Sequence, residues 1–88
     1  MPGWVLNALG DALLSFAGSE FTSDQIRTRA GSTVDAWLTA EKSRRNVFSG
    51  WFQSRSELYH LERCGQRKSS RPGARGRFVS VWRFPEGR

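Results

Sequence analysis

One cysteine, one histidine and no long apolar run set the first limits on this chain of 88 residues. With Cys64 alone, neither an intramolecular disulfide nor a cysteine metal cage can form, and a reducing compartment is expected. His60 has no second ligand at a metal-binding spacing, so it is read as a structural or surface histidine. Glu57 and Glu62 lie near Arg55 and Arg63 in sequence, which predicts surface ion pairs rather than an acid–base couple. Gly73 and Gly76 lack the strand-to-helix context of a nucleotide loop. No catalytic residue, metal or cofactor is therefore expected, and the chain is not read as an enzyme. Its opening, MPGWVLNALGDALLSFAG, has no basic leader and is interrupted by Asn7, Gly10, Asp11 and Ser15. That pattern predicts neither a signal peptide nor a membrane span, and a cytoplasmic location follows.

Carboxylates are missing where cations are densest. Between Arg63 and Arg77 stand six cations, Arg63, Arg67, Lys68, Arg71, Arg75 and Arg77, and no Asp or Glu. Ser69, Ser70, Pro72, Gly73 and Gly76 in the same stretch supply turn chemistry rather than core, which places it in solvent. One sign of charge at this density repels itself unless a polyanion offsets it, and nucleic acid is the common polyanion of matching shape. The imbalance extends to the whole C-terminal half: residues 1–43 carry a net −2 and residues 44–88 a net +8, which together give the chain's +6. The sequence pI near 11.1 agrees with a nucleic-acid footprint, although acidic proteins and anionic membranes also attract such a surface.

What is present suffices for one core. Eleven aromatics accompany a length at which roughly 60–65% of the unfolded surface is buried, so residues 1–88 are read as a single domain. Val5, Leu9, Ala12, Leu13 and Phe16 recur at helical spacing and predict a helix from about Trp4 to Ala17, ended by Gly18. Glu20-Phe21-Thr22 is short enough only for a small strand or a bend. Thr22-Ser23-Asp24-Gln25 then has the form of a capping box, opening a helix to about Ala30 that Gly31 closes. Ser32 and Thr33 offer a cap for a further helix from Val34 to about Lys42.

The segment SRRNVFSGWFQSRSEL predicts an amphipathic helix. Val47, Phe48, Trp51 and Phe52 fall on one arc, to which Leu58 returns, and that arc is assigned to the core. Asn46, Ser49, Gln53 and Ser56 share the opposite arc, where short polar groups can meet base edges; Arg44 and Arg45 stand at the helix entrance for phosphates. The same amides and hydroxyls also suit a merely solvated helix. Gly50 weakens the helix by about 1 kcal/mol relative to Ala, and its missing side chain allows close backbone approach. Beyond it, Leu58 to about Arg67 pairs with Arg77 to Phe84, a run of β-branched and aromatic residues stopped by Pro85. Alternation sorts that last strand into Phe78, Ser80, Trp82 and Phe84 against Arg77, Val79, Val81 and Arg83. Both sets contain apolar groups, so its buried side stays open.

The resulting order is helix, short strand, three helices, strand, basic loop, strand. The segments FTSDQIRTRAG, NVFSGWF and RKSSRPGARGRFVSVWR resemble the winged helix-turn-helix family, and more narrowly the small winged-helix proteins encoded by actinobacterial bacteriophages. The likeness covers roughly Leu9 to Arg83, and departs from the family at Ser32 to Ser43, where the family has a short turn. It implies an α+β fold of three to four helices over about residues 4–57, with a C-terminal two-stranded β-hairpin wing over about residues 58–84. It also implies double-stranded DNA as partner, in the cytoplasm of a host cell for a phage-encoded protein, and a role in regulating transcription or another DNA transaction. The recognition helix would present Arg44, Arg45, Asn46, Ser49 and Gln53 to the major groove. The wing would place Arg67, Lys68, Arg71, Arg75 and Arg77 on a phosphate ridge or in the minor groove. If the helix from Val34 to Lys42 enters the groove instead, the base-reading set changes. The alternative function is a protein-interaction module that inhibits or redirects a host protein through the same basic surface, because a fold does not fix its partner. Single-stranded nucleic acid would need exposed aromatics, whereas most aromatics here occupy core-compatible positions.

Overall fold

The computed structural model describes residues 1–68 and 77–85. Helix α1 (Gly3–Leu14) buries Val5, Leu9, Ala12 and Leu13, the stripe that the helical spacing selects. It stops earlier than the sequence suggests: Phe16 and Ala17 donate to carbonyls three residues back, Leu13 and Leu14, so the chain tightens into turns. Trp4, outside that stripe, is 49% exposed on this helix.

Strand β1 (Phe21–Thr22) leads directly into helix α2 (Ser23–Ala30), and Thr22 serves both elements. Its hydroxyl accepts from the Gln25 N–H at 3.3 Å while its own N–H donates to the Gln25 side chain at 2.8 Å, which forms the capping box. Gly31 then joins α2 to helix α3 (Ser32–Thr39) with φ 116° and ψ 158°. Ser32, expected as a cap, is instead the first helical residue, and no side chain among the described residues caps the N-terminus of α3. Backbone at that φ and ψ is open to glycine almost alone. A Cβ on Gly31 would meet nothing within 4 Å, so the cost of adding one is purely conformational. Gly31→Ala is expected to destabilise by ~1–3 kcal/mol. A thermal melt followed by circular dichroism should register this as a Tm lower by roughly 5–20 °C.

Arg27 of α2 is buried and reaches Asp35 of α3 through Nε and Nη2 at 2.9 and 2.8 Å. Its guanidinium also lies 5.6 Å from the ring of Phe48, which belongs to helix α4 (Lys42–Leu58). One arginine thus ties three helices together. The helix expected over Val34 to Lys42 ends at Thr39, and Lys42 begins α4.

Strands β2 (Glu62–Lys68) and β3 (Phe78–Arg83) pair antiparallel, and β1 adds to the far edge of β3, giving the order β1-β3-β2. The expected two-stranded hairpin therefore carries a third strand. It also begins later than the apolar pattern suggests, since Leu58 ends α4 and His60, with φ 56°, makes the left-handed turn into β2. The side of β3 left open by alternation is settled by its contacts. Trp82 meets the Phe52 ring edge-on at 5.5 Å and Phe84 lies 5.8 Å from Tyr59, so the Phe78, Ser80, Trp82, Phe84 side turns toward α4, while Val81 on the other side is the most buried residue of the strand at 5% exposure. The core beneath is built from α1, Phe21, Ile26, Val34, Leu38, Phe48 and Trp51. No helix among the described residues is long and apolar enough to cross a membrane.

Candidate nucleic-acid interface

Helix α4 turns two unlike faces to its surroundings. Phe48 and Trp51 are buried and stacked at 5.9 Å, with Phe52 half-buried beside them. Val47 and Leu58, expected on that face, are instead 45% and 58% exposed. The buried arc lies to one side of Val47 and includes the half-buried Arg44 and Arg55, whose guanidinium groups lie 4.1 Å and 5.9 Å from the rings of Trp37 and Trp51. Opposite it, Lys42, Asn46, Ser49, Gly50 and Gln53 are all exposed. A Cβ on Gly50 would meet nothing within 4 Å, so the backbone is open at the middle of this face. The Gln53 amide donates to Glu57 Oε2 at 3.5 Å, one turn along.

The fold separates the cations into two groups. Arg27 is paired with Asp35, Arg83 with Glu62 at 3.0 Å, and Arg44 with Glu41 at 2.7 Å. Arg44 also donates to the Trp37 carbonyl at 3.0 Å and stacks 4.1 Å above the Trp37 ring. Arg29 lies 4.1 Å above the Phe16 ring. These side chains brace the protein. By contrast Lys42, Arg45, Arg63, Arg67, Lys68 and Arg77 are exposed and have no carboxylate within salt-bridge distance among the described residues. The second group sits at the entrance of α4 and along the β2–β3 hairpin, and its field is not cancelled locally.

Hairpin geometry follows from one extra residue. Arg63 faces Trp82 and Gly65 faces Val81, so Cys64 is a bulge in β2, and Gly65 beside it has φ 151°. A bulge bends and twists its strand, re-aiming everything beyond it. Cross-strand partners share a sheet face, so Lys68 with Phe78 and Gln66 with Ser80 lie on the helix side, and Arg67 with Val79 on the other. Between α4 and β3 runs an open groove of ≈ 290 Å³, lined by Ser23, Ser49, Gln53 and Ser56 over a floor of Phe48, Phe52 and Trp82.

Of the residues that the sequence singles out, Arg45, Asn46, Ser49 and Gln53 share the exposed part of α4, and Arg67, Lys68 and Arg77 are exposed on the hairpin. Arg44 stands apart from them, against Trp37. Arg71 and Arg75 lie outside the described residues. Lys42, Arg63 and Phe78 are also exposed on α4 and the hairpin, and sequence reasoning does not single them out as site residues. The sequence pattern places Lys42 at the end of the preceding helix, and the 59% exposure of Phe78 is a tertiary property that its strand-like context hides. No family model, curated protein or solved structure matches the chain.

Proposed function

We propose that this protein binds double-stranded DNA as a small winged helix-turn-helix regulator of transcription or of another DNA transaction. In this reading α4 enters the major groove and the β2–β3 hairpin contacts the neighbouring backbone or minor groove. The observation that carries it is that the cations with no carboxylate partner among the described residues stand at the α4 entrance and on the hairpin, while Asn46, Ser49 and Gln53 are exposed on α4 and the last two line a groove shared with Trp82 of β3. Cations at the rims can hold phosphates and fix register, while short polar groups on a helix locked to the core by its other face can discriminate base edges. Helix α3 is the weaker candidate for the groove, because its sequence STVDAWLT has no cation and one carboxylate.

The test is fluorescence anisotropy with a labelled duplex across a salt series. Four to six phosphate contacts give a log–log slope of about −4 to −5. A flat slope, or no duplex binding at low ionic strength, removes the DNA reading and leaves the interaction-module reading. With a specific site in hand, Gln53→Ala should weaken that site by ~1–3 kcal/mol and leave random-sequence binding nearly unchanged. An unaltered affinity ratio between the two DNAs would show that Gln53 reads no base.

A further inference from the structure

Phe78 is the residue whose position the core does not explain. It is 59% exposed, the most exposed of the large apolar side chains among the described residues, yet it stands on the helix-facing side of β3. Its cross-strand partner on that face is Lys68; Arg77 precedes it in sequence, and Arg67, paired with Val79, stands one step along on the opposite face of the hairpin. None of the three has a carboxylate partner among the described residues.

The surroundings select what would cover this ring. A second copy of the chain would bring the same cations against themselves. A bilayer would gain little from one exposed aromatic. A polyanion with an apolar interior fits both the charge and the ring, and nucleic acid has that construction, with phosphates outside and base and sugar faces within. Distance then favours a duplex. Phe78 lies four residues along β3 from Trp82, which floors the groove beside Ser49 and Gln53. At the rise of an extended strand this is about 13 Å, close to the width of a major groove. With the exposed face of α4 in the major groove, Phe78 therefore falls beyond the phosphate ridge, at the adjoining minor groove.

We propose that Phe78 is an apolar wedge for duplex DNA: its ring enters the minor groove next to the hairpin and presses on a single base step, bending the duplex, while Lys68, Arg67 and Arg77 hold the flanking phosphates. This rests on the DNA-binding reading above and adds to it an interaction that salt does not screen.

The experiment pairs anisotropy over a salt series with end-to-end energy transfer on a doubly labelled duplex of about 25 base pairs. Wild type should bind with a steep salt slope and shorten the end-to-end distance. Phe78→Ala should bind about tenfold more weakly at every salt concentration, because the burial of the ring disappears and the cost of unstacking offsets only part of it. Its slope should be unchanged and the bend abolished. Phe78→Leu should retain the bend. Phe78→Thr keeps strand propensity and replaces Phe78→Ala if the latter melts earlier than wild type. Absence of any salt-dependent duplex binding by wild type would overturn the DNA reading itself. Steep wild-type binding with affinity and bend untouched by Phe78→Ala and Phe78→Thr would overturn the wedge alone. So would weaker binding accompanied by a flatter slope, or tighter Phe78-dependent binding to oligo(dT) or to phosphatidylserine vesicles than to duplex.

Discussion

Trp51→Ala should leave the protein unfolded, or nearly so, at room temperature. The indole is 9% exposed, stacks on Phe48, and belongs to the same cluster as Ile26 and Leu38, so its removal opens a cavity where α4 meets the rest of the core. Truncating a buried aromatic of this size costs ~3–5 kcal/mol. A domain of this length has about 5 kcal/mol in total, because short chains bury a smaller fraction of their surface. The far-ultraviolet circular dichroism of the variant should lose most of its helical signal, and no cooperative melt should remain. Trp51→Phe is the informative companion. The Trp51 Nε1–H is buried and has no acceptor among the described residues, so deleting it breaks no hydrogen bond and the phenyl ring refills part of the space. That variant should melt cooperatively at a lower Tm. A Trp51→Ala protein with wild-type Tm would mean that α4 presents a different face to the core.

Local chemistry makes much of the fold legible. The capping box at Thr22 and Gln25 needs only residues within one turn, and it forms as the spacing requires. The apolar stripe of α1 and the burial of Phe48 and Trp51 follow from periodicity in the same way. What is not legible depends on partners distant in sequence. Periodicity turns Val47 inward because it counts an arginine as polar, whereas Arg44 and Arg55 are half-buried on the inward side of α4, beside the rings of Trp37 and Trp51. Strand β1 is two residues long, too short to carry a pattern, and exists because Phe21 and Thr22 pair with Trp82 and Val81. The candidate site is legible as a region rather than as a set of side chains. Total charge locates the basic half, but Arg27, Arg44 and Arg83 have the same letter as Arg45, Arg67 and Arg77. Only the placement of Asp35, Glu41 and Glu62 separates the braced group from the exposed one.

That separation sets the largest expected effect on binding. Replacing Arg67, Lys68 and Arg77 together by Ala removes three exposed cations that have no carboxylate partner among the described residues, so the fold loses no ion pair there. Each phosphate released from a cation makes the log–log salt slope shallower by about 0.9, and the triple variant should therefore differ from wild type by about 2–3 in slope. At 0.1 M salt this corresponds to duplex affinity lower by roughly 10²–10³-fold, with specific and random sequences affected alike, because phosphates carry no sequence information. Thermal stability should stay within about 0.5 kcal/mol of wild type, as for surface substitutions generally. Arg44→Ala should behave in the opposite way. Its guanidinium is stacked on Trp37 and held by Glu41 and the Trp37 carbonyl, so its removal uncovers an aromatic ring and frees a carboxylate. A lower Tm with a nearly unchanged salt slope is the expected signature. If Arg44→Ala flattens the slope as strongly as a hairpin cation does, Arg44 leaves Trp37 to meet phosphate, and the division between bracing and binding cations fails.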